Sequence, residues 1–130
     1  MLSKEPGKSK DWLEQLMRQA ARVAINRTVA GVHFPVDSVA GQLLGLTLGH
    51  YFVRRATIAG PYAAWKFDGT QFVGTDDFDW RLQYSVSTDA QLPEPPRLQP
   101  PWAVSLGLQP AVTPAPLLAE LWTEAQGEWP

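Results

Sequence analysis

Three side chains within one short stretch, Arg27, His33 and Asp37, have the types and spacing to handle an oxyanion. Arginine offers a planar fork of donors that matches phosphate oxygens, and it keeps its charge at every relevant pH. Histidine can attack phosphorus or ligate an oxyanion metal, provided its other ring nitrogen is held by an acceptor. Asp37 lies four residues beyond His33, which suits that acceptor role if both lie on one helical turn. The plainer reading is that the three merely cap and pin a helix.

The elements around them follow from the pattern. Asp11 to Glu14 has capping-box spacing, and Leu13, Leu16, Met17, Ala20, Ala21, Val23 and Ala24 then recur near helical period to about Ile25. Arg18 and Arg22 fall on the opposite face, as a solvated pair four apart. Gly31 interrupts the segment that follows, and Pro35 suits the first turn of a second helix reaching about Ala56. That helix start would aim free N–H groups at an anion held by Arg27 and His33. Gly41, Gly45 and Gly49 recur every four residues within it. Each costs about 1 kcal/mol of helix propensity relative to Ala, and the usual compensation is a second helix backbone close by. The first helix is the expected neighbour.

Beyond Thr57 the helical pattern ends. Asp68-Gly69 between aromatic runs is a hairpin signal, and Asp76, Asp77 and Asp79 read as an acidic loop that lacks EF-hand spacing. Eight prolines between Leu92 and Pro116 argue against regular structure there, and Leu117, Leu118, Leu121 and Trp122 share a face of a short final helix. The expected organisation is a disordered 1–10, a helical core 11–60, an irregular or short-stranded 61–92, and a Pro-rich 93–130 ending in that helix.

Composition sets outer limits. With 130 residues, 45% of them apolar, one small core is the expectation. Eleven basic against thirteen acidic residues give a charge of -2, without the broad basic footprint that nucleic acid or an anionic membrane requires. The absence of cysteine removes disulfides and thiolate metal sites. Asp37, Ser38, Gln42, Thr47 and His50 break the longest apolar stretch, so no membrane span is expected. A charged start without an apolar run reads as no signal peptide, and a cytoplasmic location is the default.

Arg27, five residues, His33, three residues and Asp37, within Ala-Gly-Val-His-Phe-Pro-Val-Asp-Ser-Val-Ala-Gly, resembles the third motif of the type 2 phosphatidic acid phosphatase and vanadium haloperoxidase superfamily. The resemblance covers roughly residues 11 to 56, with Asn26 where that family often has Ser. It implies a mainly α fold, a partial helical bundle of the acid phosphatase and haloperoxidase type with an irregular Pro-rich C-terminal half. It implies that His33 is the catalytic nucleophile of a phosphomonoester hydrolase, passing through a phosphohistidine, with Asp37 orienting it and Arg27 binding phosphate. In a haloperoxidase, His33 would instead ligate vanadate, the one cofactor implied. The first motif, with its lysine and Arg-Pro pair, and the second, Pro-Ser-Gly-His, are absent from this chain; Leu48-Gly-His50 is a faint echo of the second, read as structural.

Removing one preorganised oxyanion donor typically costs about 2.7–4 kcal/mol, so this chain alone is expected to turn over little substrate. A second chain or a homo-oligomer is the expected partner. The alternative is a catalytically inactive oligomeric binding or scaffold module.

Overall fold

The computed structural model describes residues 8–82, 84–85, 90–91 and 100–128. Helix α1 (Lys8–Val29) and helix α2 (Pro35–Ala56) are each 22 residues long. Strand β1 (Gly60–Phe67) follows, then single 3-10 turns at Gly69–Gln71 and Trp80–Leu82. Strands β2 (Tyr84–Ser85) and β3 (Ala90–Gln91) form a minimal antiparallel pair. Strand β4 (Ala103–Val112) pairs antiparallel with β1, and helix α3 (Pro116–Glu128) ends the described chain. Of the disordered start expected over 1–10, residues 1–7 lie outside the described residues, and 8–10 are helical.

This architecture is α+β, which corrects the mainly α partial bundle expected from the sequence. The physical reason is visible in what α2 buries. Val39 and Leu43 on one of its faces pack with Trp65, Trp102 and Ala103 from the β1–β4 pair, and Leu46, Ala63, Phe67 and Phe72 close around them. The core is therefore a helix on a twisted ribbon, where a bundle would bury helix on helix. The C-terminal half also departs from the irregular chain expected of it. Between Pro101 and Pro110 lies a proline-free run, Trp102-Ala-Val-Ser-Leu-Gly-Leu-Gln109, which supplies most of β4. Pro110 is tolerated because it falls at a register irregularity, between the Tyr62–Gln109 and Gly60–Val112 pairs, where a missing N–H breaks no ladder bond. Asp68-Gly69 makes no local hairpin; Asp68 instead caps the 3-10 turn by accepting from the Thr70 N–H at 3.1 Å.

Cross-element hydrogen bonds fasten the ribbon to α2. The Trp65 N–H of β1 donates to Thr47 Oγ1 at 3.1 Å. At the far end of α2 the Arg55 guanidinium donates to the Thr113 carbonyl and the Arg55 carbonyl accepts from the Ala115 N–H, both at 2.8 Å, which fixes where α3 begins. No helix among the described residues is long and apolar enough to cross a membrane.

Candidate functional site

Backbone chemistry between α1 and α2 places the three motif residues. The Val32 N–H donates to the Arg27 carbonyl (3.2 Å) and the Gly31 N–H to the Thr28 carbonyl (3.0 Å), with Gly31 left-handed at φ +70°. These are the paired bonds of a Schellman terminus, which needs a residue without Cβ strain at that position. The chain thus reverses within five residues and re-enters helix at Pro35, carrying His33 back beside the last turn of α1. Across the turn, Asp37 accepts from the Phe34 N–H with its carboxylate and donates its own N–H to the Phe34 carbonyl, both at 3.0 Å. That reciprocal pair caps α2.

The result brings Arg27, His33 and Asp37 together. An Arg27 Nη lies 3.4 Å from His33 Nδ1, and the Asp37 carboxylate lies 3.8 Å from the same nitrogen. The contact to Asp37 is too long for a hydrogen bond, because its carboxylate is held by the Phe34 N–H. His33 is partly buried, whereas Arg27 and Asp37 are exposed.

The trio stands at one end of a cleft of about 820 Å³ between α1 and α2. Met17, Ala20 and Val23 of α1 form one wall, and Phe78 and Trp80 close a side. The floor is the glycine stripe. A Cβ built on Gly41, Gly45 or Gly49 meets nothing within 4 Å, which corrects the expectation that α1 packs against the stripe. Among the described residues the glycine stripe of α2 therefore faces an open cleft.

Ser38 and Gln42 also line this cleft, and both are buried. Gln42 donates to the Asp79 carbonyl at 3.3 Å. Ser38 Oγ and Gln42 Oε1 have no hydrogen-bond partner among the described residues. Sequence reading missed both, although each follows the motif at helical spacing on the same face as Gly41 and Gly45. It could not have found Phe78 and Trp80, which arrive from a loop some forty residues downstream. His50 lines the cleft with its ring 5.5 Å from that of Trp65, away from the mouth that Arg27 forms.

No group of three or more His, Cys, Asp or Glu side chains among the described residues is arranged to hold a metal ion. Asp76, Asp77 and Asp79 serve local backbone instead, accepting from the Val73, Phe78 and Arg81 N–H groups. No family model, no curated protein and no solved structure matches this chain.

Proposed function

We propose that this chain is an oxyanion-binding unit of the acid phosphatase type, with Arg27 and His33 contacting phosphate or vanadate and Asp37 biasing the imidazole. The observation that carries the reading is the convergence of Arg27 and Asp37 on one nitrogen of His33, at the capped N-terminus of a 22-residue helix. The guanidinium only donates, so Nε2 is free to attack once Arg27 turns to the anion and the Asp37 carboxylate, now 3.8 Å away, accepts from Nδ1–H. In the phosphatase reaction Nε2 would form a bond to phosphorus as the ester P–O bond breaks and the alcohol leaves with a proton. Water would then cleave the phosphorus–nitrogen bond, returning His33 and releasing phosphate.

The charge count sets the limits of this unit. Phosphate or vanadate brings up to two negative charges, and Asp37 adds a third nearby, against the Arg27 guanidinium and the partial positive end of α2. Efficient turnover then needs further cations and an acid for the leaving group, supplied by a second chain. The unit binds; the assembly with that chain would catalyse.

Vanadate titration followed by vanadium NMR tests the reading. The wild type is expected to broaden and shift the vanadate resonance, and His33→Ala and Arg27→Ala to abolish the effect. Identical spectra for wild type and both variants would refute it.

A further inference from the structure

We infer that the cleft between α1 and α2 receives helix α3 of a second copy of this chain, in a reciprocal two-fold dimer. The shape of the cleft favours a helix. The cleft, about 820 Å³ in volume, opens to solvent along the glycine stripe, and the stripe from Gly41 to Gly49 rises about 12 Å, two helical turns. Open glycines at every fourth position let a neighbouring helix seat its side chains close to the α2 backbone.

Helix α3 has the matching face. Leu117 and Leu121 are 69% and 51% exposed although large and apolar. At 100° per residue, Glu124 and Glu128 continue the same face, so it is apolar at its start and acidic at its end. The helix carries three glutamates and no basic residue, while Arg18, Arg22 and Arg27 outnumber Glu14 on the facing α1. The cleft has the complementary order, with glycines and aliphatic side chains along its length and, at its mouth, Arg27, His33, the α2 N-terminus and the Asp37 carboxylate, which the Phe34 N–H already holds.

The registers agree. Seven residues separate Leu121 from Glu128, and seven separate Gly45 from Ser38. An antiparallel seat that lays Leu121 over Gly45 therefore lays Leu117 over Gly49 and brings Glu128 to Ser38 and the mouth. There the buried Ser38 Oγ–H, lacking a partner among the described residues, gains a carboxylate acceptor. Within one chain α3 is tied to the opposite end of α2 by the Arg55–Ala115 bond, so the occupant is the helix of another copy. Exchange in both directions closes the assembly with two-fold symmetry. The inference does not rest on the oxyanion reading, since Arg27 and a helix N-terminus attract a carboxylate whether or not phosphate is bound.

Sedimentation equilibrium on the full chain is the test. Wild type is expected at twice the 14.4 kDa chain mass at about 100 µM. Leu121→Glu replaces an exposed side chain and is expected to give a folded monomer by circular dichroism. Arg27→Glu and Glu128→Lys are each expected to weaken association about fivefold or more, and the two together to restore it. Restoration identifies the pairing, because no other interface predicts it. A monomeric wild type, a dimer untouched by Leu121→Glu, or a charge swap that fails to restore association would each overturn the inference.

Discussion

Gly31 shows how much of the site depends on one backbone angle. It occupies the left-handed position of the Schellman terminus, and a Cβ there meets nothing within 4 Å. The cost of Gly31→Ala is thus conformational, about 1–2 kcal/mol, and denaturant titration should read that loss with no change in core packing. Gly31→Asn should lose less, since asparagine tolerates the left-handed region. Both Arg27 and His33 hang from this turn, so vanadate affinity should fall alongside stability. The helix start at Pro35 was legible in the sequence, with Gly31 in the loop before it, whereas the periodicity ended α1 near Ile25 and the helix runs on to Val29. What was not legible is that Asp37 spends its carboxylate on the Phe34 N–H, leaving it 3.8 Å from His33. Residue spacing reports which groups can meet, and backbone donors competing for the same carboxylate decide which of them do.

At the scale of elements, α2 is a two-faced helix. Its Val39 and Leu43 face holds the ribbon, its stripe glycines meet nothing within 4 Å among the described residues, and Thr47 fastens β1. Thr47→Val keeps the shape and removes the acceptor of the Trp65 N–H. The expected loss is about 1–3 kcal/mol by chemical denaturation, the cost of leaving a partly buried donor unpaired. Asp68 sets a pH dependence in the next turn. Hydrogen bonds first from the Thr70 side chain and then from the Thr70 backbone hold its carboxyl below the usual value of 3.8. A folded-state value below the unfolded one contributes stability that is complete above the unfolded value and lost as pH falls through the folded one. Asp68→Asn should therefore flatten part of the decline in Tm between about pH 5 and pH 2.

The three helices could be read from apolar periodicity, because everything that defines them is local. The β1–β4 pair could not. Its register sets Phe67 against Ala103 and Gly60 against Val112, and no signal near β1 names a partner so distant. Pro100, Pro101 and Pro110 further disguised the eight residues from Trp102 to Gln109, of which only Trp102 and Val104 favour a strand, as part of a featureless tail. The mainly α expectation failed for that reason: the missing layer of the fold was the non-local one.

For the whole molecule, one surface is asked to do two things. An oxyanion and the Glu128 carboxylate of a second copy would both draw on Arg27 and the α2 N-terminus. Phosphate should then weaken self-association beyond its effect as a salt, which sedimentation in phosphate against chloride at matched ionic strength would measure. Equal association constants in the two buffers would separate the dimer contact from the anion site. The same competition makes the partner chain that completes the site a rival of α3 for the cleft.

The pairing of β1 with β4 also fixes an order of events during synthesis. Its partners lie 36 to 52 residues apart, so the ribbon closes only after the ribosome has delivered the chain to Val112. The α1–α2 hairpin that bears Arg27, His33 and Asp37 emerges first and waits with both faces of α2 uncovered. During that interval the nascent chain carries a formed motif on an unsecured scaffold, and chaperones that shield apolar surface have their longest opportunity there.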